Sequence, residues 1–150
     1  MRYKTSKLIA TVFGLGYAPI APGTLGSLAG LALVIAVHSN LSLYITLFVL
    51  LFAAGVFTSA ETEKAEGKKD PSFIIIDEFA CIFAVFLFVP LSWPAVLTGF
   101  AIYRVIDITK IQPLRKLEKL SGGWAIMLDD LAAGIYANLA LQALLYFGVI

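Results

Sequence analysis

The residues able to do chemistry are five carboxylates and two cations in apolar surroundings. Asp129 and Asp130 are adjacent within SGGWAIMLDDLAAG at 121–134, inside an apolar run that continues to Ile150. Asp77 and Glu78 form a second adjacent pair, and Asp107 stands between Arg104 and Lys110. An ionised carboxylate in an apolar helix is costly unless a cation meets it. Clustered carboxylates without His or Cys suit a hard divalent cation, Mg2+ first. Such an ion with Arg and Lys alongside suits a phosphate ligand. Arg104, Asp107 and Lys110 recur at i, i+3 and i+6, along one helix face. The bland alternative is structural ion pairing, for example Asp107 with Arg104 or Lys110. The acids outnumber the nearby bases, which argues against complete pairing.

Other phosphate chemistries fail on composition. The lone cysteine, Cys81, has no Arg six residues on, so a phosphocysteine loop is absent. No DxDx[TV] sequence offers an aspartyl nucleophile. The lone histidine, His38, reads as a turn residue far from the acids. Metal-assisted attack by water is what remains.

The elements that carry these residues belong in a membrane. Of 150 residues, 60% are hydrophobic and 14% charged, and mean hydropathy is +0.91. A soluble domain would carry about 25% charged residues. The 11 basic and 10 acidic residues fall in four stretches, at 2–7, 61–78, 104–119 and 129–130. A bilayer imposes such clustering, whereas a solvated domain scatters its charges. The class is an all-α helical membrane protein, one domain over 1–150, with four to five apolar helices. Net charge is +1, which points to no nucleic acid or other polyanion. A single Cys builds no disulfide framework. A homo-oligomer is compatible with the sequence.

Residues 1–7 are basic and lead into an apolar stretch, read as a retained interfacial segment. In YAPIAPGTLGSLAG at 17–30, Pro22-Gly23 signals a turn and Thr24 an N-cap for a helix over 25–37. Gly26 and Gly30 have the spacing that lets helices approach closely. The segment reads foremost as turn, cap and packing face; the functional alternative is anion binding by its backbone N–H groups. Further helices are expected over 41–59, from Asp70-Pro71 to about 89, over 95–111, and from the Gly122-Gly123 pair to 147. Residues 61–70 read as a solvated loop and fraying helix end. By the positive-inside rule every charged loop falls on one side, the cytoplasmic one. The acids then lie roughly 5–9 Å inside the helix ends on that side. Helices starting at Leu25, Pro71 and Gly123 aim their N-termini there, which favours an anion. The span over 25–37 reaches only about 20 Å, short of a ~30 Å core.

Three blocks carry a resemblance to a known family: APGTLGSLAG at 21–30, KDPSFIIIDEFA at 69–80, and YRVIDITKIQPLRKLEKLSGGWAIMLDDLAAGIYA at 103–137. Together they resemble phosphatidylglycerophosphatase A. Where the family usually shows Phe-Arg-x-Phe-Asp and Lys-Pro, this chain has Tyr103-Arg-Val-Ile106-Asp and Lys110-Ile111, with every charged position kept. The resemblance implies Mg2+-dependent hydrolysis of phosphatidylglycerophosphate to phosphatidylglycerol and phosphate, in bacterial phospholipid synthesis at the inner membrane. By position it implies that Asp77, Glu78, Asp129 and Asp130 are metal ligands or acid–base groups, assisted by Asp107. Arg104 and Lys110 would clamp phosphate, with Thr24 and Ser27 contributing hydroxyls. The family has water-soluble helical members too, so a helical fold is implied but not a number of crossings. Two rivals use the same acids: a cation transporter or sensor, and a noncatalytic membrane subunit. The uncharged far halves of the helices argue against the transporter.

Overall fold

The computed structural model describes residues 2–109 and 122–150, so Lys110 and the basic residues just after it lie outside the described region. Among the described residues there are six α-helices and no strands. They are α1 (Arg2–Ala10), α2 (Pro22–Val37), α3 (Leu41–Glu66), α4 (Ile76–Phe86), α5 (Trp93–Thr109) and α6 (Gly123–Tyr146), with a 3-10 turn at Leu15–Tyr17. The all-α expectation holds, with one more helix than the four to five anticipated, because the basic N-terminal segment is itself helical.

The organising element is α4. It is the shortest of the apolar helices at 11 residues, and α2, α3, α5 and α6 all pack on it. Ile82, Phe83, Val85 and Phe86 are fully enclosed. Tyr44 of α3 closes on it, donating from its hydroxyl to the carbonyl of Phe83 at 2.5 Å. The glycine spacing of α2 works as expected. A Cβ on Gly26 would press on Ile75, and one on Gly30 would strike the Phe79 backbone and Ile82. Bare backbone therefore lies directly on α4.

A helix of 11 residues covers about 17 Å, so α4 must end inside the bundle. Its last carbonyls then need donors that lipid cannot supply. Asn138 of α6 supplies them, with Nδ2 bonded to the carbonyls of Val85 at 2.8 Å and Leu87 at 3.0 Å. Asn138→Ala leaves both oxygens unmet. We expect a loss of about 1–3 kcal/mol, read as a lower thermal unfolding midpoint in detergent.

Two helix starts differ from the sequence reading. The Asp70-Pro71 signal does not open α4; the helix begins at Ile76, with Ile75 at its N-cap. The intervening residues instead form a turn, and the Ile75 N–H donates to the carbonyl of Ala10 at 3.0 Å. Burying Ile74 and Ile75 and docking on α1 outweighs a local cap signal. Asp77 and Glu78 thus sit in the first turn of the helix, not six residues in. Likewise α2 opens at Pro22 rather than Leu25, with Pro in the first turn and Ala21 at the N-cap. Thr24 is inside the helix, and no side chain caps that end.

At the other charged stretch, α3 runs through 61–66 to Glu66 and stops at Gly67, whose φ of 63° suits glycine. These charges hold α1 in place. Lys7 pairs with Glu66 at 2.6 Å, Tyr3 also donates to Glu66, and Ser6 donates to Glu61 at 2.5 Å.

Of the described helices, α3 and α6 are long and apolar enough to cross a membrane. Only 22% of the apolar window of α3 is buried in the protein, so most of its hydrophobic surface faces outward. Leu50, Phe57, Trp93, Leu97, Val105 and Leu139 extend that apolar exterior over α3, α5 and α6. An apolar surface this broad suits lipid better than water.

Candidate active site

The site lies where the N-terminal ends of α2 and α4 meet α5 and the first half of α6. From α4, Asp77 and Glu78 occupy the first turn, Asp77 buried and Glu78 half-buried. From α6, Asp130 is buried one helical turn beyond Ile126. Carboxylate oxygens of Asp77, Glu78 and Asp130 lie within 4.8 Å of one another. Asp77 Oδ1 and Glu78 Oε2 are buried without a hydrogen-bond partner. Burial pushes the Asp77 carboxyl well above the usual carboxylate range, and the negative charges of Glu78 and Asp130 add to the effect. Burial raises Glu78 too, with a hydrogen bond to Asp77 and the Arg104 charge opposing the rise and Asp107 adding to it.

Such a cluster is unstable as three bare anions. An all-oxygen donor set with two unmet buried oxygens fits a hard divalent cation and fits a thiolate- or imidazole-preferring metal poorly. Asp129 is buried beside Asp130 but is not part of the three-carboxylate group. Adjacent helical residues point about 100° apart, so the two aspartates face different neighbours.

Arg104 of α5 faces the same space. Its Nη1 donates to Asp107 at 2.5 Å and to Ser27 Oγ at 3.2 Å. Ser27 is fully buried in α2 and also donates to the carbonyl of Gly23 at 3.0 Å. The Arg104–Asp107 pairing weighed from the sequence is therefore real, and it lies within one helix. Its chemical effect is to aim the guanidinium, because Asp107 and Ser27 occupy Nη1. A Cβ on Gly23 would collide with Glu78 Oε1 and come within 3.5 Å of Arg104 Nη2. The uncapped start of α2 is thus packed directly against both groups. Its first N–H groups have no intrahelical acceptors, and the helix dipole there favours an anion. Thr24 is half-buried in the same turn.

The structure brings together Asp77, Glu78, Asp130, Arg104 and Asp107, which the residue pattern singled out, and Ser27, which the family resemblance added. His38 sits at the other end of α2, roughly 22 Å away along the helix, with Nε2 2.8 Å from the carbonyl of Val89. Cys81 is buried, and its Sγ donates to the carbonyl of Met127 at 3.5 Å. Two participants escaped the sequence reading. Tyr103 donates to Asp130 Oδ2 at 2.9 Å, a pairing across 27 residues that no local pattern signals. Gly23 was legible only as a turn residue, although an anion-binding backbone was a weighed alternative.

The family model described as phosphatidylglycerophosphatase A matches residues 8–145. The chain belongs to the phosphatidylglycerophosphatase A family. It is 40% identical over 93% of its length to a Haemophilus influenzae protein named phosphatidylglycerophosphatase A, 88% of which is covered. It is 34% identical over 93% of its length to an Escherichia coli protein of the same name, 81% of which is covered. A Bacteroides thetaiotaomicron protein, named provisionally as a phosphatidylinositol-3-phosphatase, is 37% identical, with 87% of each chain covered. No solved structure is significantly similar. All three names are those of phosphatases of phosphatidyl lipids, and the family's matched region contains every described residue of the site.

Proposed function

We propose that this chain hydrolyses the phosphomonoester of phosphatidylglycerophosphate, releasing phosphatidylglycerol and phosphate in bacterial phospholipid synthesis. The observation that carries the reading is the meeting of three carboxylates, with unmet buried oxygens, and an arginine at an uncapped helix start. Asp77, Glu78 and Asp130 would hold Mg2+, and Asp129 adds negative charge beside them. Bound there, the ion supplies positive charge to the phosphate oxygens and makes a nearby water more acidic.

The protein's own groups do the rest. Arg104 neutralises charge that builds on the phosphate as the ester bond breaks. Asp107 and Ser27 hold that guanidinium, so little reorganisation is needed at the moment of reaction. The start of α2, with Thr24, orients the phosphate through backbone N–H groups. Lys110, which follows Thr109 in the sequence, is proposed as a second cation for the phosphate. The apolar exterior of α3 and α6 anchors the protein in the inner membrane with the site at its cytoplasmic face. Lipid tails then stay in the bilayer while the headgroup reaches a shallow site.

Purified protein in detergent should release phosphate from phosphatidylglycerophosphate, stop with EDTA and resume with added Mg2+. Absence of release under all three conditions would sink the reading. Phosphatidylinositol 3-phosphate, tested in parallel, should be hydrolysed more slowly; a preference for it would reassign the headgroup while keeping the chemistry.

A further inference from the structure

We infer that Tyr103 is a positioning residue for the acid cluster: its hydroxyl fixes Asp130 so that this carboxylate meets a divalent cation in one orientation. The inference rests on the proposed role of Asp77, Glu78 and Asp130 as cation ligands. Tyr103 is fully buried, and its hydroxyl donates to Asp130 Oδ2 at 2.9 Å. A phenol is an unneeded cost in an apolar interior unless its O–H has a partner. Here the partner is one of the three clustered carboxylates.

A carboxylate on a short side chain turns freely about its last bond unless something holds it. One donor on Oδ2 sets the carboxylate plane and takes part of that oxygen's acceptor capacity. The carboxylate that clusters with Asp77 and Glu78 is thereby held in one orientation. Residues behind ligands act this way generally, and losing one typically costs about 10–100-fold in metal affinity. The position of Tyr103 in the chain adds a second consequence. Its neighbour Arg104 is the group held toward the phosphate side by Asp107 and Ser27. Consecutive residues of α5 therefore set the two halves of the site, the cation ligand and the guanidinium, on one rigid helix.

The test uses the full chain in detergent and Mn2+ as the titrant, followed by calorimetry. The hydroxyl stands where the resembled family usually has Phe, so the positioning is specific to this chain's packing; Tyr103→Phe keeps the ring and removes only the donor, and Tyr103→Leu removes both. Whichever variants retain the helical circular dichroism of wild type are titrated. The expected result is Mn2+ binding weakened about tenfold or more. Phosphate release should be partly restored at high Mg2+, with the Mg2+ concentration for half-activation shifted by a similar factor. A purely structural tyrosine would lower the unfolding temperature and leave the Mn2+ affinity as in wild type, and that result overturns the inference. If wild type itself binds no Mn2+, the cation reading of the cluster fails, and the inference falls with it for that separate reason.

Discussion

Asp77→Asn should reduce phosphate release on the order of 10³-fold, the scale seen when one preorganised electrostatic group is lost, and at the same time stabilise the metal-free protein. The opposite signs follow from the same observation. Asp77 is buried beside Glu78 and Asp130, with Oδ1 lacking a partner. Its pKa is raised by burial first and by those two charges next. Above the ordinary carboxylate range, the unfolded chain releases this proton while the folded chain must retain it or suffer the repulsion. The metal-free fold is then most stable below the unfolded carboxylate pKa and loses stability as pH rises toward the raised value. Asn cannot ionise, so its variant should lose the share of that dependence that Asp77 contributes, while Glu78, also raised by burial, keeps its own. A divalent cation reverses the direction, since ligands must give up protons to bind it and affinity climbs with pH. Thermal unfolding of wild type and variant in EDTA across pH 5–8, repeated with Mg2+, checks both signs. A variant less stable than wild type at pH 8 in EDTA would show that Asp77 is structural and that no cation is needed there.

Much of this site was legible because charges in an apolar chain have few reasons to exist. Asp77, Glu78, Asp107 and Asp130 stood out by cost alone, and Arg104 stood out by sharing a face with Asp107. The Gly122-Gly123 pair marked the start of α6, where Gly122 has φ 73° and a Cβ on Gly123 would strike the backbone of Val56. Local signals failed where a distant partner decided the conformation. Asp70-Pro71 has the form of a helix start, yet the chain turns there, with the Ile74 N–H on the carbonyl of Pro71 and the Ile75 N–H on that of Ala10, and the helix begins only at Ile76. The charged residues 61–66 have the form of a loop, yet contacts from Tyr3, Ser6 and Lys7 keep them helical. Four to five apolar helices were expected, the one over 25–37 already short for a span, and in the structure α2 and α4 have 16 and 11 residues. At 1.5 Å per residue these reach roughly 24 and 17 Å, short of a ~30 Å core. Only three-dimensional packing shows that α2, α3, α5 and α6 all gather around α4.

Two alanine substitutions on one helix should separate chemistry from folding. Gly23→Ala and Gly30→Ala add the same methyl group to α2, seven residues and about two turns apart. At Gly30 the new carbon meets the Phe79 main chain, and Ile82 Cγ2 at 2.7 Å. Neither can step aside, because α4 is enclosed by four helices. Overpacking of this kind typically costs about 1–3 kcal/mol, so Gly30→Ala should lower the unfolding temperature and the yield. At Gly23 the obstacle is the carboxylate end of Glu78, a flexible side chain, with Arg104 Nη2 at 3.5 Å behind it. Glu78 can swing away at small cost in stability, but then it leaves both the acid cluster and the guanidinium. A methyl group also covers the start of α2 where phosphate oxygens would approach the backbone N–H groups. Gly23→Ala should therefore keep the fold near wild-type stability while losing phosphate release by about 10²-fold or more, with cation binding weakened in parallel. Calorimetric Mn2+ titration, phosphate release and thermal unfolding of the two variants supply the comparison. Full activity in Gly23→Ala would mean that the start of α2 contributes packing alone, and the phosphate would then have to be held by Arg104 without the helix.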